Sequence, residues 1–164
     1  MTKIPILGIV GYSNSGKTTL IERLTAALRR DGLRVAVIKH DAHDFQIDHE
    51  GKDSWRFTQA GADVTAVISG SRAVLIENRP LPVEALLDRI TDVDLILVEG
   101  FKKAAWPKIL VCRGEPGEEL AAAPEQCVAV VSEKLVEFGV PCFQRDNIGE
   151  LTALIRSGCW RQTK

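Results

Sequence analysis

The sequence predicts an α/β fold in one domain: a mostly parallel sheet with helices on both faces and one inserted antiparallel hairpin. Two observations carry this prediction. Short apolar runs rich in β-branched residues alternate with helical stretches along the 164 residues, as in buried parallel strands joined by crossovers. One pair of strand-like runs is separated only by Gly70-Ser71, which marks a hairpin.

Taken in order, residues 4–10 (IPILGIV) read as a buried strand. Residues 17–30 place Leu20, Ile21, Leu24, Ala27 and Leu28 on one helical face. Arg29 and Arg30 suit the negative end of that helix, and Gly32 stops it. A second strand follows at 33–39, then the polar stretch 40–49 (HDAHDFQIDH), then a short helix at 52–62 ended by Gly61. Residues 64–69 and 72–77 form the hairpin, and Pro82 opens a helix to about Ile90. Residues 94–99 (DLILVE) are the most apolar strand and read as central. Further strands lie at 108–112, 127–131 and 140–144, and an amphipathic helix at 148–158 closes the chain. Residues 114–126, with Pro116, Gly117 and Pro124, form a surface excursion.

Net charge is −1, so composition implies no general affinity for nucleic acid or anionic membrane. No apolar run reaches the ~18 residues that span a bilayer. The first residues lack a small-residue cleavage site and read as strand, which makes the cytoplasm the expected compartment. Cys112, Cys127, Cys142 and Cys159 show no C-x-x-C spacing and read as buried free thiols.

The chemistry begins at Gly11-Tyr12-Ser13-Asn14-Ser15-Gly16-Lys17-Thr18, which matches G-x-x-x-x-G-K-[ST]. A chance match in a chain of this length is about one in a few hundred. The motif also stands where its physics requires, between a strand and an amphipathic helix. The glycines let backbone N–H groups face phosphate oxygens, Lys17 reaches the β- and γ-phosphates, and Thr18 offers its hydroxyl to Mg²⁺. Thr19 continues the first helical turn, whose positive end favours anions. The expected fold is therefore a three-layer α/β/α domain of the P-loop NTPase type, spanning residues 1–164.

Such a loop needs a carboxylate at the end of a neighbouring strand. Glu99, in V-E-G, is at the carboxyl end of 94–99, where ligands of open α/β sheets collect; Asp92 and Asp94 are at the other end. Lys17 and Glu99 are the candidate catalytic residues, and Thr18 and Glu99 candidate Mg²⁺ ligands. The stretch 40–49 also follows the carboxyl end of a strand. Asp44 or Asp48 is placed to complete the Mg²⁺ shell, and Lys39 and Lys52 to neutralise phosphate charge. His40, His43 and His49 have three readings: contacts to phosphate or to a second substrate, a zinc site on the His40-x-x-His43 spacing but without cysteine ligands, or a solvated loop.

These residues together resemble a known family. GYSNSGKTTL, IKHDAHDFQIDHEGKDSWRFTQAGA, DLILVEGFKK and PKILVCR follow the pattern of the molybdopterin-guanine dinucleotide biosynthesis adapter proteins (MobB), from Ile6 to about Asn147. Lys39, His40, His43, Asp44, Asp48, Gly51, Lys52, Asp53 and Ser54 fall on that pattern. The resemblance implies a GTP-binding protein with weak GTPase activity. Its implied partner is the guanylyltransferase that joins GMP to molybdopterin. It also implies a homodimer in which inserted strands pair across subunits, with 64–77 as their expected location, and makes molybdopterin a candidate second ligand. The wider P-loop class includes dethiobiotin synthetase, whose Mg²⁺ ligands resemble Thr18, Asp44 and Glu99 here.

Preference for GTP rests on that resemblance, because the N-K-x-D element that many GTPases use to read guanine is absent. Arg113, Ser132, Asp146 and Asn147 are candidate base contacts, each equally readable as a turn or cap residue. No residue stands out as a dedicated general base, and no water-orienting Gln adjoins Glu99. Two other classes remain: a small-molecule kinase or ATP-driven ligase of the dethiobiotin synthetase type, and a binding module without turnover.

Overall fold

A computed structural model describes residues 3–41, 45–113, 126–134 and 139–162. The chain divides into two compact units, residues 41–89 and, apart from them, residues 2–40 with 90–164. The larger unit holds strands β1 (Ile6–Val10), β2 (Val35–Lys39), β5 (Leu95–Glu99), β6 (Lys108–Val111), β7 (Cys127–Ser132) and β8 (Cys142–Gln144). Its helices are α1 (Lys17–Arg30), α4 (Ile148–Ser157) and a closing 3-10 turn (Cys159–Gln162). The smaller unit holds α2 (Asp53–Gln59), β3 (Val64–Ile68), β4 (Ala73–Glu77) and α3 (Val83–Leu87).

The six strands of the larger unit pair in the order β2-β5-β1-β6-β7-β8, every pair parallel. β1 is thus central, with β5 on one side and β6 on the other. Strand alternation sorts the side chains. Leu7, Ile9, Leu95, Leu97, Ile109, Val111, Ala129 and Val131 join one core with Leu20, Leu24, Leu28, Leu151, Ile155 and Trp160 from the helical segments. All five apolar positions expected on the inner face of α1 are buried. Burial of each such Leu or Ile contributes about 1.5–3 kcal/mol. Trp160 fixes the end of the chain, its indole N–H donating to the Ile155 carbonyl at 2.7 Å.

The other face carries a smaller cluster of Leu110, Cys112, Cys127 and Val130. Lys108 also lies on this face and is almost fully buried. Its ammonium donates to the carbonyls of Ala104 and Trp106 and to Gln126 Oε1. Burial pushes this lysine below its ordinary range and the neighbouring Cys127 thiol above its own. Gly8 makes room for it: a Cβ there would stand 3.2 Å from Lys108 Cγ. The cysteines divide more finely than expected. None of the four is in a disulfide; Cys112 and Cys127 are buried, Cys142 is half-buried and Cys159 is exposed.

Most elements come out shorter than their sequence patterns. β2 begins at Val35, because Leu33 N–H closes the end of α1 on the Leu28 carbonyl. Arg34 is held by Asp94, which accepts from its backbone N–H at 2.7 Å and from its guanidinium at 3.2 and 3.3 Å. The helix expected at 52–62 forms at Asp53–Gln59, and the one opened by Pro82 ends at Leu87.

In the smaller unit, β3 and β4 form an antiparallel pair, Val64 opposite Glu77 and Ile68 opposite Ala73. The turn is Ser69 to Arg72, closed by a 2.7 Å bond from Ser69 N–H to the Arg72 carbonyl. Asn78 bonds Asp63 and Ala62, and Thr58 on α2 reaches Thr65 on β3 at 3.1 Å. Glu77 holds the guanidinium groups of Arg79 and Arg89. Val64, Val67, Ile68, Val74 and Leu75 are all exposed.

Candidate functional site

The glycine-rich loop joins β1 to α1 at the carboxyl edge of the sheet. Gly11 sits against the end of β6: a Cβ there would stand 2.2 Å from the Val111 carbonyl oxygen and 2.7 Å from Ser15 Oγ. Only glycine fits that approach. Asn14, at φ 59°, turns the chain through the left-handed region, which Asn tolerates. Ser15 N–H then donates to the Tyr12 carbonyl at 3.2 Å. Gly16, at φ 96°, is the N-cap of α1; no side chain caps this helix and no acidic residue lies in its first turn. The amide donors of that turn are left for another acceptor.

Around this loop the expected side chains converge. Lys17 Nζ donates to the Tyr12 carbonyl at 2.7 Å, so the lysine lies folded back along its own loop. Thr18 Oγ1 stands 3.4 and 3.3 Å from the two carboxylate oxygens of Glu99, across 81 residues of sequence. β5 neighbours β1 directly, with Ile9 opposite Glu99, and this register brings the carboxylate to the loop. A hydroxyl and one carboxylate suit Mg²⁺, which keeps several waters and takes its other ligands from phosphate. The Ser15 hydroxyl is buried and makes no hydrogen bond among the described residues. A buried orphan donor inside an uncapped loop fits an anion there.

Lys39 closes β2 opposite Glu99, and His40 N–H donates to the Glu99 carbonyl at 2.9 Å. The His40 ring lies 4.2 Å from that of Phe101, which meets Trp106 at 5.6 Å. Gly100 and Phe101 both have positive φ, 96° and 50°, so the chain turns sharply beside His40. Lys102 on the same turn lies over the Tyr12 ring at 5.1 Å.

The remaining candidates have other descriptions, each taken by itself. His43 and Asp44 lie outside the described residues. Asp48 and Lys52 belong to the smaller unit. Asp48 Oδ1 accepts from His49 N–H at 2.8 Å while its Oδ2 is buried and unpaired; Lys52 is the N-cap of α2. Among the described residues, no three His, Cys, Asp or Glu gather as a metal site. Three suggested base contacts have structural partners. Asp146 pairs with Arg23 at 2.7 Å, and Asn147 caps α4 by accepting from Glu150 N–H. The Ser132 hydroxyl donates to the Lys134 carbonyl, and Arg113 is exposed.

Sequence reasoning missed Arg145. It follows β8, and its Nη2 donates to the carbonyls of Ser15 at 2.7 Å and Cys112 at 3.1 Å. Its guanidinium thus fastens the P-loop to the end of β6, and Nη1 occupies the space beside Gly16. The available signal was positional: Arg145 precedes Asp146 and Asn147 after an apolar strand.

Known proteins similar to this chain point to one family. The profile of molybdopterin guanine dinucleotide synthesis protein B matches residues 6–133. The molybdopterin-guanine dinucleotide biosynthesis adapter protein of Haemophilus influenzae is 39% identical over 160 residues, 94% of this chain and 89% of that protein. Its Escherichia coli counterpart is 40% identical over 133 residues, 77% and 74% of the two chains. The crystal structure of Bacillus subtilis MobB superposes with a TM-score of 0.78 at 34% identity, covering 94% of this chain and 97% of that one. On sequence and on fold, this chain belongs to the family of molybdopterin guanine dinucleotide synthesis protein B.

Proposed function

We propose that this chain is a GTP-binding adapter with weak Mg²⁺-dependent GTPase activity. In this reading it assists the cytoplasmic guanylyltransferase that joins GMP to molybdopterin. The observation that carries the nucleotide half is the Thr18 hydroxyl beside the Glu99 carboxylate, at the mouth of a loop whose helix is uncapped. Bound Mg²⁺ would supply charge neutralisation to the β- and γ-phosphates. Tyr12 to Thr19 would hold the phosphates, and Lys17 would leave the Tyr12 carbonyl for them. No water-orienting Gln adjoins Glu99 in the sequence, which supports slow turnover.

The adapter half is supported by the relatives' names and by the smaller unit. A two-stranded hairpin is marginal alone in water, and this one exposes Val67, Ile68 and Leu75. Pairing with the hairpin of a second copy would cover them, which supports the homodimer. A cavity of about 830 Å³ in the same unit is lined by Phe45, Asp48 and Trp55 among others. Aromatic rings beside a carboxylate with an unpaired buried oxygen support molybdopterin as a second ligand. The test is guanylyl transfer by a purified guanylyltransferase with and without this chain. Faster product formation with GTP-loaded wild type, and none with Lys17→Ala, supports the proposal. No effect of either protein, together with no detectable complex, would refute the adapter reading.

A further inference from the structure

The P-loop fixes which way a bound nucleotide runs. Thr18 and Glu99 mark the β5 side of β1 as the place of Mg²⁺ and the terminal phosphates. The nucleoside then extends toward the other side, over the carboxyl ends of β6, β7 and β8. Few polar side chains there are without a structural task. Asp146 is held by Arg23, Asn147 caps α4, the Ser132 hydroxyl is bonded to Lys134, and Arg145 grips two carbonyls. Among the described carboxylates after these three strands, Asp146 engages Arg23 through Oδ1, whereas Glu133, at the end of β7, has no partner within hydrogen-bond length. Its side chain is 55% exposed, and its recorded partner, Arg145 Nη1, is 3.7 Å away, beyond hydrogen-bond length.

We propose that Glu133 reads the base. This inference rests on the GTP reading above and supplies the guanine contact that the missing N-K-x-D element leaves open. An ionised carboxylate offers two acceptors and no donor. The guanine edge offers two adjacent donors, N1–H and the 2-amino group, and accepts that pairing in full. Adenine offers one donor beside the lone pair of N1, which faces a carboxylate oxygen unfavourably. Arg145 joins the two ends of the site. Its Nη2 holds the Ser15 carbonyl of the phosphate loop while its Nη1 flanks Glu133.

The experiment is calorimetric titration of GTP, ATP and XTP, each with Mg²⁺, into wild type and Glu133→Gln. The exposed position of Glu133 makes the variant compatible with folding. The introduced amide offers one acceptor and one donor, which matches xanthine N1–H and its 2-carbonyl. We expect GTP affinity to fall by about tenfold or more and XTP affinity to rise above that of wild type. A gain of XTP binding cannot arise from damage to the fold. If wild type prefers GTP and Glu133→Gln keeps that preference, the role of Glu133 is refuted and the GTP reading stands. If wild type binds GTP and ATP equally, the GTP reading fails and this inference falls with it.

Discussion

Gly11→Ala tests the geometry of the phosphate loop with the smallest perturbation available. The added Cβ would stand 2.2 Å from the Val111 carbonyl oxygen, where real Cβ atoms stay beyond 3.0 Å. The loop must therefore retreat by at least ~0.8 Å from the end of β6, the difference of those two distances. The obstacle is backbone in a central parallel strand and cannot rotate away, whereas at Gly16 it is a side chain, that of Arg145. Overpacking of this kind costs about 1–3 kcal/mol of stability. Misplacement by ~1 Å of groups that must hold a ligand costs about a hundredfold in function. Calorimetry with GTP and Mg²⁺ reads the second effect and denaturant unfolding the first. Gly70→Ala is the control, since nothing lies within 4 Å of that added carbon. Wild-type affinity in Gly11→Ala would refute the claim that this loop, in this conformation, holds the phosphates.

Arg145→Met leaves the Ser15 and Cys112 carbonyls without their donor. It should lower stability by about 1–3 kcal/mol in denaturant unfolding; an unchanged midpoint would show that the guanidinium does not anchor the loop. Asp94 is held below the usual carboxylate range by its hydrogen bonds from Arg34. Its contribution is therefore present above the unfolded value, about 3.9, and is lost as pH falls through the lower native value. Asp94→Asn should flatten the acid side of the stability profile below about pH 4, and a profile parallel to wild type would contradict this. Wild type should sediment as a dimer at micromolar concentration and Leu75→Asp, on the exposed face of β4, as a monomer; a monomeric wild type would contradict the pairing of hairpins. A dimer that survives the charge would move the interface away from the hairpin.

Much of the fold was legible because parallel strands buried on both faces leave continuous apolar runs. The runs at 94–99 and 127–131 became β5 and β7, with Leu95 to Val98 and Cys127 to Ser132 buried. Strand and helix ends were less legible, because they are set by single tertiary bonds such as Arg34 to Asp94, which have no local periodicity. The same division holds at the site. The approach of Thr18 to Glu99 was readable because motif and strand end each name their position. Arg145 and Glu133 were not, since their task depends on the order β1-β6-β7-β8, which no single stretch encodes. The stretch 40–49 divided: His40 came to rest against Phe101 beside the end of β5, while Asp48 turned to its own neighbour in the smaller unit.

Calorimetric titration of GTP and of ATP, each with Mg²⁺, into wild type and Lys17→Ala tests the central claim most directly. The account predicts that wild type binds GTP in preference to ATP. It predicts that Lys17→Ala loses about a hundredfold in GTP affinity, the order expected when a charge-assisted contact to phosphate is removed. Tight GTP binding retained by Lys17→Ala would contradict it.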